Sequence, residues 1–446
     1  VTAPLEPERL SAANASNIEI DSSDQVNAFL LAGVLGVGGF VHGPGDIDLD
    51  RLRAAVRARI VPPAAADLVR FSQRVRLRPR PLVWEDCAPD LAWHVRLTDP
   101  VEGEQGLADL AARLMTTPLP PDRPLWELLV VPGVSAQAPG VILRLHHCVS
   151  DGVGAVRLVQ HLFGAMPEAA PHPAPAPGAR PPSGTRSHTP RERLRTLVTG
   201  AARVTAVFRA TVPRTVLLGR IGPHRGVALV EAPLPLLVTT ARSVGATVND
   251  ALLAAIAGAV AAALRADGRP VAPVLPASVP VALPDRGSSG NAVGVMVAPL
   301  PTDIDDPLER LRLIAAATRA GKDEARAQGT FELTRSRWGS RAFAWMARRQ
   351  RFIALFVTNV RGPAQRLDLA GAPLLSAWPV SPIQGNVRLG VAAMSYAGRL
   401  GVAVHVDADA IRADVVREAL EAELVRIACA PSAGGRSPGD RQGQAR

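Results

Sequence analysis

Residues 166–190 hold eight prolines among alanine, glycine and serine, with no hydrophobic period running through them. Proline removes a backbone donor and fixes φ, so neither a helix interior nor a central strand crosses such a stretch. The composition predicts an extended linker. A chain of 446 residues also exceeds what one ordinary core holds. The predicted organisation is therefore a first domain over residues 1–165, a linker over 166–190, a second domain over 191–430 and a disordered tail over 431–446.

Both halves mix helix and strand signals, which makes the fold class α/β. In the first half, residues 47–56 read as an amphipathic helix, while 75–79 and 93–97 alternate like strands. In the second, Thr247 reads as the N-cap of a helix running to about Arg265 and ended by Asp267-Gly268. Its apolar run, residues 251–264, is short of a bilayer span and fits a buried helix. Three β-rich segments (374–380, 387–395 and 400–406) and a helix over 413–429 follow, and no fixed-period repeat is visible.

The chemistry concentrates where the first half ends. An apolar segment, 141–145, gives way to His146-His147-Cys148-Val149-Ser150-Asp151-Gly152 and then to a helical pattern at Val153, Val156, Val159 and Leu162. A histidine fixed at a strand end is well placed as a general base, being mostly neutral at physiological pH. The spacing His-x-x-x-Asp alone is weak, because His42 with Asp46 and His405 with Asp409 share it. Only the middle copy has the preceding His146, the following Gly152 and a strand-turn-helix setting. Gly152 would allow positive φ or a close backbone approach. Cys148, adjacent to the base, would point away from it along a strand and is read as a small buried spacer.

This motif resembles that of the wax ester synthase/diacylglycerol acyltransferases, within the chloramphenicol-acetyltransferase-like superfamily. Further blocks follow in the family's order over roughly residues 20 to 425. They are Pro124-Leu125-Trp126-Glu127, Val248-Asn249-Asp250, Gly290-Asn291 with Leu300-Pro301, and Thr358-Asn359-Val360-Arg361-Gly362-Pro363. Arg361 stands where the family more often has a second proline. The resemblance implies two acetyltransferase-like α/β sandwiches with the active site in the cleft between them. It implies acyl transfer from acyl-coenzyme A, as co-substrate, to diacylglycerol or a long-chain alcohol, with His147 as general base. No other cofactor and no metal is implied.

The resemblance also gives Asp151 an orienting role, through a buried ion pair with an arginine. His146 supports the site, structurally or by lining the channel. Asn249 is either a donor to the oxyanion or the residue that holds a helix-cap turn. Trp126 and Leu125 either wall an acyl tunnel or belong to the core. Two alternatives remain open: a condensation-domain-like or polyketide-associated acyltransferase taking carrier-protein donors, and a non-catalytic lipid-binding protein on the same fold.

Other classes lose support. Cys87, Cys148 and Cys429 are scattered, with no C-x-x-C pair, so neither zinc nor a disulfide framework is indicated. Walker A, Gly-x-Ser-x-Gly and HExxH motifs are absent. The net charge of +10 comes from arginine, Lys322 being the single lysine, and is densest over 191–225 and 331–356. One tyrosine and no nucleic-acid motif argue against nucleic acid, whereas anionic lipid headgroups or coenzyme A phosphates suit the charge. Trp338, Trp345 and Phe352 recur every seven residues, with Phe356 four further on and arginines around them. This pattern predicts one helix, lying either in a lipid interface or with its aromatic stripe on the core. No amino-terminal signal is visible, so the expected location is cytoplasmic, with peripheral contact to the inner membrane or lipid droplets.

Overall fold

The computed structural model describes residues 8–22, 25–43, 45–150, 152–164, 212–282, 293–328 and 345–430. The predicted linker and tail lie outside these residues, as do Asp151, Gly290, Asn291 and Trp338. The first half contributes α1 (Ala12–Ile20), β1 (Ala28–Leu35), α2 (Leu49–Ile60), β2 (Gln73–Arg76), β3 (Val83–Asp86), α3 (Leu91–His94) and β4 (Val95–Leu97). It continues with α4 (Gly103–Leu114), β5 (Trp126–Val131), β6 (Gly140–His146) and α5 (Gly152–Phe163). The second begins with β7 (Arg225–Pro233), α6 (Leu234–Ser243), α7 (Val248–Ala266), β8 (Val274–Ala282), β9 (Val293–Pro301) and α8 (Pro307–Gln328). It ends with β10 (Leu355–Arg361), β11 (Asp368–Leu369), β12 (Ala372–Val380), β13 (Leu389–Tyr396), β14 (Arg399–Asp407) and α9 (Ala413–Ala428).

Local chemistry explains most boundaries. Asp48 caps α2 by accepting from Arg51 N at 2.9 Å, and the helix buries Leu52, Val56 and Ile60. Thr247 and Asp250 form a reciprocal capping box on α7, and Gly268, at φ 63°, follows the end of that helix. α7 is long and apolar enough to cross a membrane, but 78% of that window is buried inside the protein, so it is a core helix. One strand expectation needs correction. Residues 93–97 do not all extend, because Asp90 accepts from Ala92 N at 3.0 Å and closes the helical turn α3, leaving only Val95–Leu97 as strand.

The strands form two large sheets and the small β2–β3 hairpin. The first sheet has the order β11-β12-β1-β6-β5-β4, the second β7-β14-β13-β10-β8-β9. Sheet membership therefore does not follow the linker. β1 is buried on both faces and needs a neighbour on each side. β6 supplies one; β12, from beyond the linker, supplies the other, with Leu30 opposite Val380 and Val34 opposite Ser376.

The chain then crosses to the second sheet over residues 381–388. The two sheets share a core in which Leu30, Ile142, Trp378 and Val380 meet Val227, Leu229 and Ala403. The Trp378 indole donates across it to Val230 O at 3.1 Å. A Cβ on Gly401 would lie 2.0 Å from Ala377 O, so only glycine permits this approach of the sheets.

The aromatic helix predicted around 338–356 does not form as one element. The backbone is helical at residues 345–347, Phe352 lies in a bend and Phe356 belongs to β10. The Gln350 side chain takes the amides of Phe352 and Ile353, at 2.8 and 2.9 Å, that a continuing helix would use.

Candidate active site

β6 carries the histidine motif out of the first sheet. Leu143 and Leu145 face one core while Arg144 and His146 point the other way, the alternation of a pleated strand. His146 pairs with Ala28 of β1 and ends the strand. His147 then begins a turn, in which Val149 N donates to His146 O at 2.9 Å, and α5 starts at Gly152. Beneath the turn, Arg144 forms a buried ion pair with Glu127 at 2.6 Å and donates to Leu114 O and Thr117 O at 2.6 and 2.5 Å. This anchors the strand two residues before the motif.

The two histidines have different environments. His146 is buried with both ring nitrogens engaged: Nδ1 accepts from Cys148 N at 3.1 Å, and Nε2 faces the Asp21 carboxylate at 3.2 Å. With Nδ1 accepting a hydrogen bond and Nε2 on a carboxylate, both ring nitrogens of His146 are occupied by protein groups. His147 is half-buried, its ring edge-on to Phe29 at 5.0 Å. Among the described residues its ring nitrogens have no hydrogen-bond partner, while its backbone is held by Asn27 O, at 2.9 Å, and Asn17 Nδ2, at 3.1 Å. Burial, followed by the charge of neighbouring His146, pushes the His147 imidazole down to about 4. It is therefore neutral at physiological pH.

The second half supplies two asparagines that approach each other. Asn249 lies in the first turn of α7, and its Oδ1 is 3.5 Å from Nδ2 of Asn359 on β10. Among the described residues the Asn249 amide nitrogen has no other partner. Asp250 instead turns into the protein, accepting from Thr247 N and Oγ1 at 2.8 and 2.7 Å and from Thr318 Oγ1 at 2.7 Å. Next to Asn359, a Cβ on Gly152 would meet Val360 at 3.4 Å, so the start of α5 abuts the strand that carries Asn359. Asn359 lies within the Thr358–Pro363 block, where the sequence alone does not mark it as a site residue.

Other candidates find different places. Trp126 is fully buried; its indole donates to Phe71 O at 3.0 Å and its ring stacks on His94 at 4.4 Å. Leu125 is buried in a separate small cluster with Trp84 and Cys148. Both side chains are packed among other residues of the first half. Gly152 has no positive φ, so what distinguishes it is the contact with Val360. Cys148 is wholly buried, and burial pushes its thiol up, away from nucleophilic use.

Of the competing histidines, His42 is exposed. His405 is buried with Nδ1 on Ser381 O at 2.7 Å, and its spacing partner Asp409 pairs with His224 instead. Asp151 lies outside the described residues. Among those described, no three His, Cys, Asp or Glu side chains converge as a metal would require.

Comparison with known proteins identifies the family and the fold. Residues 10–252 match the wax ester synthase/diacylglycerol acyltransferase catalytic domain and residues 289–428 the WS/DGAT C-terminal domain. Rv2285 of Mycobacterium tuberculosis, named as a diacylglycerol O-acyltransferase, is 35% identical over 54% of this chain, a match spanning 58% of that protein's length. A second protein of that name and organism, Rv0221, is 30% identical over 74% of this chain and 77% of its own. The fold is that of the wax ester synthase/diacylglycerol acyltransferase from Marinobacter aquaeolei VT8, with a TM-score of 0.69 at 21% identity over 94% of this chain and 98% of that one. With the two family domains matched over residues 10–252 and 289–428, the chain belongs to the wax ester synthase/diacylglycerol acyltransferase family.

Proposed function

We propose that this chain moves a long-chain acyl group from acyl-coenzyme A to diacylglycerol or a long-chain alcohol, making triacylglycerol or wax ester, with His147 as general base. One observation carries the reading. Of two adjacent histidines, His146 has both nitrogens engaged, while the neutral ring of His147, at the strand end, has no hydrogen-bond partner among the described residues. Alcohols attack slowly at neutral pH because their proton is held tightly. A positioned base lowers that barrier by roughly 3–5 kcal/mol.

The hydroxyl oxygen attacks the thioester carbonyl as its proton passes to His147. The new C–O bond forms, the C–S bond breaks, and the imidazolium returns the proton to the departing thiolate. A site in which burial disfavours the charged imidazole promotes that return. No acyl-enzyme is required, because the thiolate is itself a good leaving group. Asn249, whose amide nitrogen has no partner among the described residues, is the candidate donor to the tetrahedral oxyanion.

The acceptor is insoluble, so a peripheral position on a membrane or lipid droplet belongs to the same reading. Trp345 is 62% exposed, with the Arg349 guanidinium 4.6 Å from its ring centroid. That pairing suits a lipid-water interface. The test is ester formation from palmitoyl-coenzyme A with a panel of long-chain alcohols, mono- and diacylglycerols. Ester and free coenzyme A in equal amounts are expected. Transfer only from acyl carrier protein, or none from any donor, would overturn the reading.

A further inference from the structure

The crossover 381–388, which carries the chain from the first sheet to the second, touches the segment that holds His147. Gln384 Nε2 donates to Asn27 Oδ1 at 2.7 Å. Asn27 is buried, and it spends its remaining groups around the base. Its carbonyl accepts from His147 N at 2.9 Å, and its Nδ2 donates to Asn17 O at 3.0 Å. Asn17 in turn donates to His147 O at 3.1 Å. The backbone of His147 is thus held on both sides by two asparagines, and the crossover holds one of them.

The crossover is itself fixed at several points. Gln25 brackets Gly385, donating to its carbonyl at 2.9 Å and accepting from its amide at 2.8 Å. Asn386 exchanges hydrogen bonds with Gln350 at 2.7 and 2.9 Å, and buried His405 meets Ser381 O at 2.7 Å. A Cβ on Gly385 would lie 2.6 Å from Ala347 O, at φ 69°, so the crossover packs directly on the 345–350 segment.

We infer that Gln384 is a positioning residue for His147, acting from the crossover through Asn27 to fix the base at the end of β6. The inference rests on His147 being the general base. A small displacement of a catalytic group costs rate rather than affinity, because the reacting atoms lose alignment while substrate contacts persist. Gln384 is half-buried at the end of this chain of bonds, so its removal spares the core.

The experiment compares Gln384→Ala, Gln384→Lys and Gln25→Ala in the full chain. Gln384→Ala is expected to lower kcat by about 10- to 100-fold with KM for both substrates within about twofold, at an unchanged melting temperature. Gln384→Lys, which returns a donor to Asn27 Oδ1, is expected to recover most of the rate. Gln25→Ala frees the same crossover at Gly385 but leaves Asn27 its partner, and its loss should be clearly smaller. Hydrogen-deuterium exchange gives a readout independent of any substrate: the His147 amide should exchange faster in Gln384→Ala. An unchanged kcat, a rise in KM alone, or equal losses at Gln25 and Gln384 would overturn the inference. If wild type forms no ester, the functional reading fails, and an unchanged His147 exchange rate would still overturn this one.

Discussion

Replacing Arg144 with methionine tests whether β6 is anchored as described. The Arg144 side chain is 3% exposed and that of Glu127 1%, so both charges sit out of water. Removing one partner of such a pair typically costs about 3–5 kcal/mol, because the other charge is left buried. Here Arg96 also reaches Glu127 at 2.7 Å, which keeps part of the compensation and places the expected cost near the lower figure. The Leu114 and Thr117 carbonyls lose donors as well, adding about 1 kcal/mol each where no water reaches them. A loss of about 3–5 kcal/mol is therefore expected in urea denaturation, visible as a lower midpoint at similar slope. The double variant Glu127→Leu/Arg144→Met removes both buried charges and should regain at least half of that loss. A single variant within about 1 kcal/mol of wild type, or a double variant no better than the single, would refute the reasoning.

Four shorter predictions follow. His147→Ala should abolish ester formation with an unchanged melting temperature, while His42→Ala stays active; equal losses at both positions would show that the wrong copy of the motif was chosen. With His147 pushed down to about 4, the acid limb of kcat/KM attributable to it should fall well below pH 6, and a limb near 6.5 would mean a solvated imidazole. His94, His147 and His405 all sit near 4 when folded against about 6.5 unfolded. The unfolded chain therefore takes up more protons between these values, so their contribution to stability is complete above about pH 6.5 and is lost as pH falls towards 4, which thermal melts across that window would read. Gly401→Val should destabilise by several kcal/mol, because its side chain would meet the Ala377 carbonyl rather than a movable side chain; a melting temperature within a degree of wild type would contradict the close approach of the sheets.

The motif that names the family was legible because its parts are contiguous. His146, His147 and Gly152 fall within one strand-turn-helix, whose alternation and helical period are local properties. The α7 boundaries were legible for the same reason, since a Thr247–Asp250 box and a Gly268 stop need only neighbours in sequence. Local pattern misled where a side chain competed for backbone amides. Asp90 turned an alternating run into α3, and Gln350 ended a helix that a seven-residue aromatic spacing had suggested.

What the sequence determined by itself was the α/β class and the family, because both are carried by local periodicity and by blocks of contiguous residues. The tertiary structure decided everything that depends on separations of a hundred residues or more. It assigned β12 to the first sheet, because β1 is buried on both faces and needs a second neighbour. It separated His146 from His147 by giving one the Asp21 carboxylate and the other's ring no hydrogen-bond partner among the described residues. It joined Gln384 to Asn27, 357 residues away in sequence, beside the backbone of His147, and it set Asn359 against Asn249. Periodicity reports which side of an element meets the core; it carries no information about which distant element will be there.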